Sequence, residues 1–165
     1  RDMGGYYRVG ALSANADLHE IDCALIRLDL AERGPVRIAN SFVVNDSLIV
    51  TEEASREIFR LDATANFSIN QSIIFLAGRR PVFLLSGEGH NGNFSVNQCI
   101  FWGTPSFRNH LDVSKDMIAS GDYNVYYVPG GEEVRNRYNK TSFYALSQWQ
   151  EASGMDANSV YLTDK

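Results

Sequence analysis

The sequence is poor in the residues that usually announce a chemistry. It has two cysteines in 165 residues, Cys23 and Cys99, too few for a disulfide framework and, without a partner motif, for a structural zinc site. A single bridge is left open, but no spacing argues for it. Cys99 lies inside an apolar strand pattern, and two buried thiols acting as small hydrophobes is the favoured reading. Positive charge is scattered, with 15 Lys and Arg against 20 Asp and Glu and a net charge of −5. No basic stripe is available to neutralise phosphates, so nucleic acid is not an expected partner. No apolar run approaches the roughly 18 residues needed to cross a bilayer. Residues 1–15 are Gly-rich and polar and do not form a secretory signal. Arg1 is not a natural start, so the chain reads as a mature or excised piece from which a signal could have been lost.

What is present is core material. Hydrophobic residues make up 44% of the chain, which suits one domain with a continuous core. The most informative feature is internal similarity. Asn66-Phe67-Ser68-Ile69-Asn70-Gln71-Ser72-Ile73-Ile74-Phe75 matches Asn93-Phe94-Ser95-Val96-Asn97-Gln98-Cys99-Ile100-Phe101 position by position. Extending the pattern through Val36–Val43, Tyr7-Arg8-Val9 and Tyr123-Asn124-Val125 gives landmarks at Val9, Ile38, Ile69, Val96 and Val125, separated by 29, 31, 27 and 29 residues. Phe67-x-Ile69 and Phe94-x-Val96 alternate with the period of a strand, and a fixed repeat of strands means that successive units stack. Asn70-Gln71 and Asn97-Gln98 break the apolar pairs where such a unit would turn a corner, since Asn tolerates left-handed geometry. Stacked Asn side chains could bond one another in a ladder, expected to be partial because Ala39 takes the first corner position in the earlier copy. Leu25–Leu28, Ile58–Leu61 and Val82–Leu85 are a second strand of each unit. The Leu-x-x-Leu-x-Leu spacing of a leucine-rich repeat is absent. The expected fold is therefore all-β, a right-handed parallel β-helix of about five coils over residues 1–130, with a C-terminal cap over 131–165 in the same domain.

For the cap, Thr141-Ser142 offers an N-cap, and Phe143 to Ser153 reads as a short helix with Ala145, Leu146, Trp149 and Ala152 at helical spacing. Gly154 suits the left-handed position that ends a helix, with Met155 packing back on Trp149. Trp149 could be a sugar-stacking platform, although core packing is the favoured reading. Asp122-Tyr123-Asn124-Val125-Tyr126-Tyr127, Tyr144–Gln150 and Gly154–Ser159 resemble the closing segment of many bacterial right-handed β-helix proteins of the pectate-lyase-like superfamily. The chain is most similar to secreted or lipid-anchored β-helix proteins of Bacteroidetes encoded among glycan-utilisation genes. That resemblance implies an extracytoplasmic setting, at the cell surface or in the periplasm, and a polysaccharide as ligand.

Candidate chemistry is thin. Gly87-Glu88-Gly89-His90-Asn91-Gly92 matches G-x-G-x-x-G, but a strand pattern at Asn93-Phe94-Ser95-Val96 follows it where a dinucleotide site needs a helix. The motif reads as a turn, and no nucleotide cofactor is expected. His90 with Glu88, and His110 within Arg108–Asp112 in a loop before the last coil, are weak acid/base candidates; His19 near Asp17 and Glu20 is weaker. A lyase on this fold needs a base and a cation for the uronate. Arg79-Arg80 and Lys115-Asp116 are the right residue types without a diagnostic spacing, and no acidic cluster marks a calcium site. Glu52-Glu53 and Glu132-Glu133 are adjacent pairs, which does not make the facing carboxylates of a glycosidase. Asn66, Asn93 and Asn139 begin glycosylation triplets that a bacterial source would make incidental. No catalytic residue, metal or cofactor is assigned. Two functions stay in competition: a non-catalytic module that binds or scaffolds polysaccharide, and the C-terminal part of a polysaccharide lyase or glycoside hydrolase acting on a uronic-acid glycan. An uncovered N-terminal coil would also offer a surface for dimerisation.

Overall fold

A computed structural model describes residues 2–9, 13–14, 19–28, 36–38, 40–51, 58–62, 64–76, 83–85, 92–103, 109–130, 135–162 and 164. The strands are β1 (Asp2–Val9), β2 (Ser13–Ala14), β3 (His19–Leu28), β4 (Val36–Ile38), β5 (Ser41–Asn45), β6 (Leu48–Thr51), β7 (Phe59–Leu61), β8 (Asn66–Asn70) and β9 (Ile73–Leu76). They continue as β10 (Phe83–Leu85), β11 (Asn93–Asn97), β12 (Ile100–Gly103), β13 (Asn109–Val113), β14 (Ile118–Asp122), β15 (Val125–Tyr127), β16 (Arg135–Tyr138) and β17 (Thr141–Phe143). One helix, α1 (Leu146–Ser153), precedes β18 (Val160–Leu162).

Among the described residues the chain is all-β apart from α1, and the pairing is parallel except between β16 and β17. Three ladders are visited in the same order again and again. The first is β3-β5-β8-β11-β14, the second β3-β6-β9-β12-β15-β18, and the third β2-β4-β7-β10. The first two form one sheet, because β3 runs through the corner at Cys23 and pairs with β5 on one side of it and β6 on the other. A short separate sheet joins β13, β16 and β17, so strands continue beyond residue 130.

Alternation decides what faces inward. In β5, β8 and β11 every second residue is buried. Phe42, Phe67 and Phe94 stack at 6.0 Å centroid spacing, with interplanar angles of 14° and 10°. Beside them runs the column Ile21, Val44, Ile69, Val96, Gly121. The second ladder contributes Ile26, Ile49, Ile74, Phe101, Tyr126 and Tyr161. Phe59 of the third ladder closes the core, its ring 5.1 Å from Phe67.

The stacking is real, but its register differs from the expected one. Only Ile69 and Val96 of the five landmarks share a column. Val9 pairs with Leu28, Ile38 with Leu61, and Val125 with Ile100. The true column, residues 21, 44, 69, 96 and 121, has spacings of 23, 25, 27 and 25. Leu25–Leu28 likewise belongs with β6, whereas Phe59–Leu61 and Phe83–Leu85 stack with β4.

Two side-chain ladders hold the corner between the first and second ladders. The outer one links four rungs: Asn45 Nδ2 donates to Asp22 Oδ1 (2.7 Å), Asn70 to Asn45 (3.0 Å) and Asn97 to Asn70 (3.4 Å). Asp122 then accepts from the backbone and side chain of Asn158. The left-handed residue is the one after the ladder position, Cys23, Asp46, Gln71, Gln98 or Tyr123, with φ between 49° and 56°. It points outward, which is why Cys23 is exposed; Cys99, the next corner position, is buried, and both thiols are free. The inner ladder is Ser47, Ser72, Cys99, Asn124 and Ser159. Ser47 Oγ accepts the Ala24 N–H, Ser72 Oγ that of Ser47, Asn124 Oδ1 that of Cys99, and Ser159 Oγ that of Asn124.

The cap also departs from expectation. Thr141 and Ser142 lie in β17, and α1 begins later, after Ala145, with no side-chain cap. Gly154 ends it in left-handed geometry (φ 71°), its N–H on the Gln150 carbonyl. Trp149 is fully buried and so is not a sugar platform. Its indole N–H donates to Asp156 Oδ2 at 2.8 Å. Met155 reaches the end of the inner column. A Cβ on Gly121 would lie 2.9 Å from Met155 Cε, so the glycine leaves the room that the cap side chain fills.

A candidate ligand face on the second ladder

Because side chains alternate across a strand, each inward residue of the second ladder is flanked by two outward ones. Register places them in two columns. Leu25, Leu48, Ile73, Ile100, Val125 and Val160 form the first, and Arg27, Val50, Phe75, Trp102, Tyr127 and Leu162 the second. Leu25, Leu48, Ile73, Phe75, Ile100, Trp102, Val160 and Leu162 are all exposed, Trp102 at 43% and Phe75 at 37%. Scattered apolar residues on a surface are ordinary, but a contiguous face of this extent is a usual mark of an interaction site.

An aromatic row runs through its middle. Phe75 and Trp102 have ring centroids 6.4 Å apart, and Tyr127 meets Trp102 edge-on at 5.0 Å. The row lies across the strands, stepping about 4.8 Å per rung. At its Tyr127 end, the phenol donates to Asp164 Oδ1 (2.6 Å) and the Gly130 N–H donates to Asp164 Oδ2 (2.6 Å). The Gly130 N–H and the Tyr127 hydroxyl hold the Asp164 carboxyl below its ordinary value, while Asp164 in turn raises the Tyr127 phenol.

The outer face of the first ladder is different in kind. Ser68, Asn70, Ser95 and Asn97 bond to one another, and Asn93 Nδ2 donates to Asn66 Oδ1. Its polar groups are occupied in holding rungs together.

The residues singled out from the sequence do not gather. His90, Glu88, Arg79, Arg80, Glu52, Glu53, Glu132, Glu133, Arg108 and Asp17 lie outside the described residues. His110 is in strand β13, not in a loop, because Asn109–Val113 pairs with β16. Asp112 of that strand is bonded to Arg137 at 2.9 Å. Lys115 and Asp116 are exposed in the turn before β14, and His19 and Glu20 belong to β3. Among the described residues no group of three His, Cys, Asp or Glu could hold a metal ion, and no helix is long and apolar enough to cross a membrane. The row Phe75, Trp102, Tyr127 and its neighbour Asp164 were not singled out from the sequence. The signal for the row was available, since these positions each follow the corner by four residues. Comparison with family models, curated proteins and solved structures finds no match for the chain.

Proposed function

We propose that the three ladders wind as a right-handed parallel β-helix and that this chain is an extracytoplasmic module whose aromatic row binds a polysaccharide without cleaving it. The row Phe75–Trp102–Tyr127 carries the reading. Sugar rings present C–H faces that pack on aromatic faces and edges, and exposed aromatic residues with a polar handle suit such half-wet contacts. The row advances by one strand spacing per rung, about 4.8 Å, which is close to the length of one sugar in an extended pyranose chain. A glycan lying along the stacking axis therefore meets an equivalent contact at each rung. The resemblance of the closing segment to glycan-associated β-helix proteins supports the same ligand class and setting.

The test is a titration of the protein with soluble polysaccharides, followed by Trp102 fluorescence and by calorimetry. Binding that Trp102→Ala weakens at least tenfold, with no new reducing ends or unsaturated products, is the expected result. Binding that is indifferent to Trp102→Ala removes the row from the function, and product formation replaces the module with an enzyme.

A further inference from the structure

We infer that the aromatic row selects a neutral glycan and that Asp164 is the specificity residue that turns uronic acids away. This rests on the glycan reading above and adds the ligand's charge to it. From Leu48 to Leu162 the outward positions of the second ladder are Leu48, Val50, Ile73, Phe75, Ile100, Trp102, Val125, Tyr127, Val160 and Leu162. None carries a formal charge, so the face offers nothing to neutralise a carboxylate in each successive sugar. Among the described residues the charge fixed against the row is negative, that of Asp164. Both oxygens of Asp164 are pinned, by the Tyr127 hydroxyl and the Gly130 N–H.

Those two bonds leave lone pairs on each oxygen, so Asp164 can accept from sugar hydroxyls at the Tyr127 rung. A neutral sugar supplies such donors. A uronate stacked on Tyr127 would bring a second carboxylate to the first, and like charges about 4–5 Å apart in water disfavour binding about fivefold. Arg27 lies in the same column, next to Arg8 of β1, but stands three rungs from Trp102. At about 4.8 Å per rung that separation exceeds the Debye length of ~8 Å at physiological salt, so Arg27 does not offset the repulsion at the far end.

The experiment compares cellohexaose and β-1,4-mannohexaose with hexagalacturonate, using the wild-type chain, Asp164→Asn and Trp102→Ala at low and high salt. The expected result is a neutral hexasaccharide preferred by the wild type. Asp164→Asn should narrow that preference about fivefold at low salt, and less in 0.5 M NaCl. Asn keeps an acceptor oxygen, so neutral binding should change little. A wild type that prefers hexagalacturonate in a Trp102-dependent manner, or an Asp164→Asn variant with an unchanged ratio, overturns the inference and leaves the glycan reading standing. If no hexasaccharide binds and sedimentation shows a dimer that Trp102→Ala dissolves, the face belongs to a second copy and both readings fall.

Discussion

Asp156 is the residue on which the closing segment depends. It is fully buried and collects four side-chain donors. Oδ2 accepts from the Trp149 indole (2.8 Å) and the Tyr126 hydroxyl (2.7 Å), and Oδ1 from Asn124 Nδ2 (2.8 Å) and the Ser159 hydroxyl (2.7 Å). These donors come from α1, β15, the corner and the last rung, so one carboxylate joins the cap to the sheet. Asp156→Asn keeps the volume and tolerates the left-handed φ of 61°, which Asn adopts readily. It cannot keep the pairing. If the new amide nitrogen replaces Oδ2 it faces the indole N–H, which can only donate. If it replaces Oδ1 it faces the Asn124 amide, which cannot flip because its oxygen accepts the Cys99 N–H. Either way one buried N–H loses its acceptor, which costs about 1–3 kcal/mol, and the remaining bonds lose their charge assistance. The sum is about 2–4 kcal/mol, or about 5–15 °C in Tm for a chain of this size. Asp156→Ala should exceed it. Urea unfolding in a Trp102→Phe background isolates Trp149, whose emission should shift to the red before the sheet signal in circular dichroism is lost. A Tm within about 2 °C of the parent, or no change at Trp149, would refute the account of the cap.

Two further outcomes follow from packing and protonation. Gly92 is buried where a Cβ would lie 1.9 Å from the Ala65 carbonyl oxygen, so Gly92→Ala must push two rungs apart; overpacking of this kind costs about 1–3 kcal/mol, read as a lower urea midpoint. Burial pushes the Cys99 thiol from 9.0 up to about 11, against the pull of the Ser72 and Asn97 backbone bonds. A raised folded value means that the unfolded chain loses this proton first. The stability from Cys99 is therefore complete below pH 9 and is lost as pH rises from 9 to 11, by about 2–3 kcal/mol. Cys99→Ser, which repeats the Ser of the two rungs before it, should flatten that part of the profile relative to wild type. Parallel profiles would discard the assignment.

How much of this was legible depends on where the eye enters the repeat. The match of Asn66–Phe75 with Asn93–Phe101 is unmistakable, and it correctly located β8, β9, β11 and β12. Extending it to Val36–Val43 went astray by six residues. Val36-Arg37-Ile38 has the right apolar alternation for the landmark strand, and the period it gives, 31, is near the others. The better copy is Ser41-Phe42-Val43-Val44-Asn45-Asp46-Ser47-Leu48-Ile49-Val50, which keeps the Phe, the ladder Asn and the corner Ser in place. Apolar alternation cannot separate these two alignments, because every strand of the unit alternates. The ladder residue can: an Asn or Asp that bonds its equivalents must recur in every unit, and Asp22, Asn45, Asn70, Asn97 and Asp122 do. Read from that position, Ala39 is irrelevant, and the side-chain bonds run unbroken from Asp22 to Asn97. The missing N-cap of α1 was harder to foresee. Thr141 and Ser142 have good capping chemistry, but pairing with β16 claims them for a strand.

The two outer faces of the joined sheet bear on function because the core places no demand on either. Outward positions of the first ladder are mostly Ser, Asn and Asp, with Val43 and the exposed Ile118 as apolar exceptions, and those of the second, Arg27 apart, hold Leu, Ile, Val, Phe, Trp and Tyr on strands of similar length. β-propensity alone does not explain the contrast, since Thr serves an outward strand position as well as Ile does and stays soluble. An apolar outward column also carries a standing risk of aggregation that charged or polar residues would remove. A sequence that keeps Leu48, Ile73, Phe75, Ile100 and Trp102 outward, while placing Asn and Ser around the corner, is stabilising something other than its own fold. Replacing Phe75 and Trp102 together by Thr separates these accounts. If the row exists for binding, the variant should keep its urea midpoint within about 0.5 kcal/mol, as surface changes usually do, and lose its ligand. A fall of several kcal/mol on that substitution would return the aromatic row to the fold and leave the second ladder without a function.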